Sequence, residues 1–103
     1  MSSRASTSTK TGGSSWFVYM LECKGARIYT GIAVDVAARY QKHLSGKGAA
    51  FTRMHKPQRI IAVMPCVDRS EASKTEAQLK KLERPAKLLW AGQWPWPPAE
   101  GGY

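Results

Sequence analysis

The sequence predicts a small α+β domain, with a three-stranded, mainly antiparallel sheet flanked by helices. The 103 residues leave room for one domain, since a domain commonly takes about 100–200 residues. Three apolar segments rich in β-branched and aromatic residues are expected to be strands, and three segments that begin with helix-start residues are expected to be helices. Their order is β-β-α-β-α-α, which is typical of an α+β fold. The folded body is expected to span residues 16–91, without an internal repeat.

The first two strands are expected to form a hairpin. Residues 16–23 (WFVYMLEC) are predicted to be a buried strand, and residues 27–32 (RIYTGI) the returning strand. Residues 24–26 supply the turn. If all three form the loop, Tyr19 and Tyr29 point to the same face of the sheet; a two-residue loop would place the two phenols on opposite faces.

A helix is predicted next, followed by a loop and the third strand. Asp35 is a suitable N-cap for a helix that runs to about Leu44, and residues 45–58 are expected to be a cation-rich loop. Residues 59–67 (RIIAVMPCV) are the third strand, in which Pro65 favours an edge position or a bulge. The core face of this first helix is expected to consist of Val36, Ala37, Tyr40 and Leu44.

Two further helices complete the body. Asp68 and Glu71 form a D-x-x-E capping pattern for a helix that runs to about Leu82. Pro85 suits the first turn of a last helix that reaches about Trp90. The buried face of the helix after Asp68 is expected to consist of Ala72, Leu79 and Leu82.

Both ends of the chain differ in composition from this body. Residues 1–15 are rich in Ser, Thr and Gly with one apolar side chain, so they are expected to be a flexible tail. Residues 92–103 (GQWPWPPAEGGY) are dense in Pro and Gly and are expected to be extended. Trp94 and Trp96 either fold back onto the domain or remain mobile.

The charge distribution indicates a polyanionic partner. Sixteen Lys and Arg against seven acidic residues give a net charge of +9, and residues 36–67 contain no acidic residue. Such a stretch attracts phosphate backbones, although a solvated basic face that keeps the protein soluble would have the same composition. The cations of this stretch are Arg39, Lys42, Lys47, Arg53, Lys56 and Arg59.

The apolar segments and the cysteines point to a protein of the reducing cytoplasm. No apolar run reaches the roughly 18 residues that a membrane span needs. Cys23 and Cys66 both lie in apolar segments and outside any C-x-x-C pair, so we expect free thiols in the core. A disulfide, or a zinc site with His43 or His55, is the alternative.

Two groups of polar side chains are out of place on their predicted helices. Arg39 and His43 are four residues apart and share a ridge, where an arginine can bind a phosphate while an imidazole handles a proton. Two exposed polar side chains would show the same spacing. Glu76 lies on the border of an apolar face and needs a partner, which is either a divalent cation or Lys80 one turn later.

Taken together, these motifs resemble the GIY-YIG nuclease superfamily, and within it the small stand-alone bacterial proteins of the YhbQ type. The resemblance covers about residues 16–89. The matching motifs are FVY at residues 17–19, YTG at 29–31, the R-x-x-x-H helix at 39–43, GKGAAFTR at 46–53 and E-x-x-x-K at 76–80.

The resemblance implies a metal-dependent DNA endonuclease, acting on branched or damaged DNA in repair, with one divalent cation, Mg²⁺ or Mn²⁺. It implies that Tyr19 is a general base or water-orienting phenol and that Tyr29 lines the same pocket. Arg39 would stabilise charge on the phosphorane, and His43 would assist proton transfer. Glu76 would be the single protein ligand of the metal. Arg39 and the metal are expected to lower the pKa of Tyr19.

The resemblance also bears on partners. Lys47, Arg53, Lys56 and Arg59 would contact the DNA backbone without reading its sequence. Because no recognition domain accompanies the catalytic motifs, the nuclease would be weakly selective or would depend on a protein partner for specificity. The alternative is a nucleic-acid-binding module that is catalytically weak or inactive.

Overall fold

The computed structural model describes residues 15–97, which contain a three-stranded sheet in the order β2-β1-β3 with both pairings antiparallel. The strands are β1 (Trp16–Cys23), β2 (Arg27–Ala33) and β3 (Pro57–Cys66). The predicted fold class is therefore confirmed. Most of the predicted N-terminal tail, residues 1–14, and the end of the C-terminal segment, residues 98–103, lie outside the described residues.

The hairpin has the three-residue loop, and its register decides the orientation of the two tyrosines. Cys23 pairs with Arg27 and Tyr19 pairs with Gly31, so Tyr19 and Tyr29 point to the same face. Two successive positive φ angles, 82° at Gly25 and 59° at Ala26, close the turn.

Four helices flank the sheet among the described residues, one more than the sequence predicted. They are α1 (Val36–Leu44), α2 (Ala50–Met54), α3 (Arg69–Lys80) and α4 (Arg84–Gln93). The order β-β-α-β-α-α is confirmed, with the short α2 added where a loop was predicted. Helix α2 has five residues and no side-chain cap, so its termini carry none of the usual signals.

The central strand β1 is buried on both faces. One face packs with α3 and α4 through a cluster of Val18, Met20, Ala62, Cys66, Ala72, Leu79 and Ala91. The other face carries a cluster of Tyr19, Leu21, Cys23, Ala33 and Val63, against which Val36 and Tyr40 of α1 pack. This double burial explains why the sequence of β1 is apolar from Trp16 to Leu21 instead of alternating.

The caps of α1 and α3 are as predicted, whereas their buried faces differ. Asp35 accepts a hydrogen bond from Ala38 N at 3.0 Å, and Asp68 accepts one from Glu71 N at 2.9 Å. On α1, however, Ala37 is exposed and His43 is the buried residue, because the loop after α1 covers the imidazole. Beyond the end of α3, Leu82 is 38% exposed, since the helix ends at Lys80 before that side chain reaches the core.

The C-terminal segment folds back onto the sheet. Helix α4 continues to Gln93, three residues beyond the predicted end, and the chain then pairs with the outer edge of β3. Val63 N donates to Trp94 O at 3.0 Å, and Trp96 N donates to Ile61 O at 3.2 Å. Strand β3 is thus an edge strand of the sheet, as Pro65 indicated, with its edge covered at this point by residues 94–96.

The structure also bears on the expected free thiols and on the absence of a membrane-spanning helix. Cys23 and Cys66 are free and buried, and burial raises the pKa of both thiols. Within residues 15–97, no cluster of three or more His, Cys, Asp or Glu side chains is placed to hold a metal ion, so the zinc alternative has no support there. Helices long and apolar enough to cross a membrane are likewise absent from that range.

Candidate active site

A buried hydrogen bond between Tyr19 of β1 and His43 of α1 lies at the centre of the site. Tyr19 Oη is 2.8 Å from His43 Nε2, and the two residues are only 1% and 2% exposed. They are 24 residues apart in sequence and meet because Tyr19 faces α1, whose last turn carries His43. A phenol and an imidazole in direct contact can exchange a proton.

The other nitrogen of His43 is also occupied. His43 Nδ1 lies 2.8 Å from Oγ1 of Thr52 on α2, and the Thr52 hydroxyl donates to Ala49 O at 2.9 Å. Thr52 is 2% exposed, so this chain of hydrogen bonds is shielded from water. Both ring nitrogens of His43 are therefore satisfied within the protein.

Two glycines make room for these side chains. A Cβ at Gly48 would overlap His43 Nδ1 and lie 2.9 Å from its Cε1. Gly31 lies opposite Tyr19 in the sheet, and a Cβ there would press on both tyrosine rings. Any larger residue at either position would displace a member of the Tyr19–His43 pair.

An aromatic row leads from the pair to the surface. Tyr29 lies 5.0 Å from His43 and 5.9 Å from Phe51 between ring centroids, and Phe51 lies 4.9 Å from His55. Phe51 is 36% exposed, at the outer end of the site. Tyr29 is thus in the same pocket as Tyr19, and α2 extends that pocket outward.

Electrostatics link Tyr19 to two groups that do not touch it. Burial, reinforced by Tyr29, raises the pKa of Tyr19 far above its ordinary value of 10.0; Arg39 acts to lower that pKa and Glu76 to raise it. Arg39 and Glu76 therefore lie within electrostatic range of the phenol. The expected net lowering of the Tyr19 pKa is not found in the protein alone, because desolvation outweighs the guanidinium.

His43 is shifted in the opposite sense. Burial, with a smaller effect of Arg39, lowers the pKa of His43 below its ordinary value of 6.5. The imidazole is therefore neutral at pH 7 and can accept a proton. The interpretation of Arg39 and His43 as two exposed polar residues is wrong for His43, while Arg39 itself is exposed.

Of the two partners that the position of Glu76 suggested, the structure shows Lys80. Its carboxylate makes an i,i+4 ion pair with Lys80 at 3.3 Å, and the side chain keeps 22% of its surface exposed. A partly exposed carboxylate fits Mg²⁺, which retains several waters and often takes one or two protein oxygens. The Lys80 ammonium competes for the same oxygen only weakly, since exposed ion pairs contribute little.

The four cations predicted to bind DNA do not all lie together. Arg53 and Lys56 line an open cleft of about 320 Å³ whose wall includes His43 and Thr52. Lys47 is exposed in the loop next to Gly48. Arg59 instead pairs with Glu22 at 2.7 Å, within a pocket that α4 helps to line. Arg59 is the register partner of Glu22 on β1. Glu22 is an odd number of residues from Tyr19 on that strand, so Glu22 and Arg59 lie on the face of the sheet opposite to Tyr19.

Sequence reasoning missed Thr52 and Gly48, which both contact the His43 ring. Both lie in the GKGAAFTR segment that carried part of the resemblance. That segment was the available signal. Without α2, however, nothing in its spacing placed Thr52 beside an imidazole nine residues earlier.

Comparison with known proteins agrees with this geometry. Residues 15–89 match the GIY-YIG catalytic domain, which is about three quarters of the chain. The chain belongs to the GIY-YIG domain family. This is a nuclease family, and GIY-YIG nucleases generally use a divalent metal. The two predicted triplets, at residues 17–19 and 29–31, lie within the matched range.

Relatives of similar size support the same assignment. A UPF0213 protein of Cupriavidus necator is 46% identical over 82 residues, which cover 80% of this chain and 89% of that protein. A UPF0213 protein of Xanthomonas axonopodis is 43% identical over 75 residues, covering 73% and 74%. The solution NMR structure of the UPF0213 protein from Bacillus halodurans is similar with a TM-score of 0.51 and 39% identity, covering 80% of this chain and 87% of that one.

Proposed function

We propose that this GIY-YIG protein is a metal-dependent endonuclease that hydrolyses phosphodiester bonds in DNA. The observation that carries the proposal is the buried 2.8 Å contact between the Tyr19 hydroxyl and Nε2 of a neutral His43. Burying two titratable side chains against each other gives little stability, but it creates a proton-transfer pair.

The pair supplies a base for water. Tyr19 passes its hydroxyl proton to Nε2 of His43, and the resulting phenolate takes a proton from the attacking water. The water oxygen forms a bond to phosphorus as the bond from phosphorus to the leaving oxygen breaks. The leaving oxygen keeps the electron pair and takes a proton from solvent, and His43 releases the proton that it gained. Burial raises the pKa of Tyr19 and lowers the pKa of His43, so this transfer is uphill in the free protein, and positive charge at the site, such as that of Arg39, would favour it by stabilising the phenolate.

Two charged side chains are proposed to act on the phosphate. Arg39 is exposed at the site and would stabilise the negative charge that develops on the phosphoryl oxygens. Glu76 would hold the metal, with water and phosphate oxygens completing its shell. When bound, Mg²⁺ or Mn²⁺ would supply positive charge next to the scissile phosphate.

The surface around the pair suits a nucleic acid. Arg53 and Lys56 line the cleft beside His43, and together with Lys47, which is exposed in the loop before α2, they would neutralise backbone phosphates. The exposed ring of Phe51 adds an aromatic surface beside them, as is common where proteins hold bases. Arg59 is left out of this proposed surface because it lies on the other face of the sheet, paired with Glu22.

One observation favours a second candidate, a nucleic-acid-binding module with weak or no turnover. The Tyr19 phenol is held protonated, and the Glu76 carboxylate is already paired with Lys80. A site in this state would bind DNA through its cations without cutting it. Such a module would still show strong salt dependence of binding.

The test is a cleavage assay with Mg²⁺ or Mn²⁺ on labelled single-stranded, duplex, flap and four-way-junction DNA. Arg39→Ala and Glu76→Ala should abolish cleavage while keeping the fold. Lys42→Ala on the same helix as Arg39, and Lys80→Ala beside Glu76, are the matched controls and should retain it. Binding without cutting by the wild type would favour the second candidate. Full activity in Arg39→Ala or Glu76→Ala would overturn the mechanism.

A further inference from the structure

Thr52 has no role in the reaction described so far, yet it is among the most buried polar side chains of the described residues. It is 2% exposed, and its Oγ1 lies 2.8 Å from His43 Nδ1. A threonine in a short helix at the rim of a cleft would ordinarily face solvent. Its burial against the imidazole therefore calls for an explanation.

The directions of the hydrogen bonds follow from a count of protons. Ala49 O can only accept, so the single hydroxyl proton of Thr52 is used in the 2.9 Å bond to that carbonyl. Thr52 Oγ1 then presents only lone pairs to His43, and Nδ1 must be the donor in the 2.8 Å contact. In a neutral imidazole with hydrogen on Nδ1, the other nitrogen Nε2 is an acceptor. It faces the Tyr19 hydroxyl, which can donate to it.

We propose that Thr52 is a positioning residue that fixes His43 in the tautomer with hydrogen on Nδ1, so that Nε2 is free to take the proton of Tyr19. This rests on the proposed nuclease function and adds a residue to it. Thr52 touches neither substrate nor metal in this proposal and acts only through His43. Its role is like that of a carboxylate or carbonyl that orients a catalytic histidine.

The surroundings keep this arrangement rigid. The Thr52 hydroxyl is anchored three residues back along the chain, to the residue that precedes α2, which is a common bond for threonine near a helix end. Gly48 also lies close to this part of the ring, because a Cβ there would overlap Nδ1. The imidazole is therefore restricted near Nδ1 by Gly48 of the loop and by Thr52 of α2, and cannot turn over without displacing them.

The inverted arrangement would not serve the reaction. If Thr52 donated to Nδ1, the hydrogen would move to Nε2, which would then donate to Tyr19 Oη. The phenol could not pass its proton to a nitrogen that already carries one.

The titratable and charged groups around His43 are Tyr19, Tyr29, Arg39, Arg53 and Lys56.

The tautomer can be read directly by ¹⁵N NMR of the full chain labelled at histidine. The chain has two histidines, so His55 is an internal reference, and a His55→Gln variant assigns the signals. At pH 7.5 we expect the His43 signals of a neutral ring protonated at Nδ1 and unprotonated at Nε2. Signals of the opposite tautomer in the wild type would overturn the proposal, whether or not the protein cuts DNA.

Two substitutions separate positioning from packing. Thr52→Val keeps the shape but removes the acceptor, and we expect His43 to populate the Nε2–H tautomer. Thr52→Ser keeps the acceptor and should keep the wild-type tautomer. If Thr52→Val fails to fold, the wild-type and Thr52→Ser spectra decide the question. A serine variant with hydrogen on Nε2 would contradict the proposal, as would an unchanged tautomer in a folded valine variant.

Activity provides the second readout. In the cleavage assay we expect Thr52→Val to lower kcat by about 10- to 100-fold with little change in KM, the range seen when the orienting partner of a functional histidine is removed. Thr52→Ser should restore most of the rate. Unchanged kcat in a folded Thr52→Val would overturn the positioning role. A wild type that cuts no DNA would instead contradict the proposed function, while the tautomer measurement would stand by itself.

Discussion

Gly31 lies directly against Tyr19: a Cβ at this glycine would be 2.6 Å from Tyr19 Oη and 2.7 Å from its Cζ. The same atom would be 3.0 Å from the Tyr29 ring. No real Cβ tolerates such contacts, so the glycine of the YTG triplet is required by space. The backbone at position 31 sets where the phenol of Tyr19 can lie, and through it the contact with His43.

We therefore expect Gly31→Ala to move Tyr19 and to destabilise the fold by about 1–3 kcal/mol, the usual cost of overpacking a core. Chemical denaturation measures this loss. Gly92→Ala is the matched control, because a Cβ there meets no atom within 4 Å and Gly92 is in helix α4. That variant should be neutral or more stable by about 0.5–1 kcal/mol. Equal stability of the two variants would contradict the tight contact.

A second prediction concerns stability in mild acid. Burial and Arg39 hold the pKa of His43 below 6.5, so below that pH the unfolded chain binds more protons than the folded one. The free energy of unfolding should fall as the pH drops from 6.5 towards the lower pKa of the folded state, by at most about 1.4 kcal/mol per pH unit for one group. Urea denaturation between pH 7.5 and 5.5 measures this slope, and His43→Gln should flatten it. An unchanged slope in that variant would assign the effect to other groups.

A third prediction separates the proton-transfer phenol from other tyrosines. Tyr19→Phe should lower the rate of DNA cleavage by about 10²- to 10⁴-fold, the usual contribution of a general base. Tyr40→Phe is the matched control, since Tyr40 packs on the same cluster from α1 without contacting His43 Nε2. It should retain nearly full activity. Comparable losses in both variants would indicate damage to packing instead of loss of a base.

A fourth prediction separates the two faces of the sheet. Lys56→Ala should weaken DNA binding and reduce the slope of log K against log salt by about 1, because one backbone phosphate contact is lost. Arg59→Ala removes an equal charge from the opposite face and should leave that slope unchanged. Fluorescence anisotropy at several salt concentrations measures both. A larger effect for Arg59→Ala would indicate that DNA binds to the face of the sheet that carries Arg59.

Much of the fold could be predicted because its signals are local. The turn at residues 24–26, the caps at Asp35 and Asp68 and the apolar run of β1 each act within a few residues. Helix α2 could not be predicted in this way, since it is a single short turn that is stabilised by packing beside His43. The pairing of residues 94–96 with β3 depends on contact between distant parts of the chain, which composition does not encode.

The candidate site likewise has features that the sequence predicts and features that it does not. Tyr19, Tyr29 and His43 are predicted from their motifs, and the structure brings all three together. The burial of His43 was not foreseen, because the helical pattern assigned Ala37 to the core in its place. Arg59 was grouped with the other cations by sequence proximity alone. Its side chain lies on the opposite face from the other cations, because alternate residues of a strand face opposite sides of the sheet.

The backbone pairing of residues 94–96 with β3 has a consequence for how the protein can be handled. Unpaired strand edges are templates on which identical chains stack and aggregate. Here the chain covers part of its own edge, from Ile61 to Val63, with its own C-terminal segment. Truncation before Trp94 would uncover that edge and favour self-association.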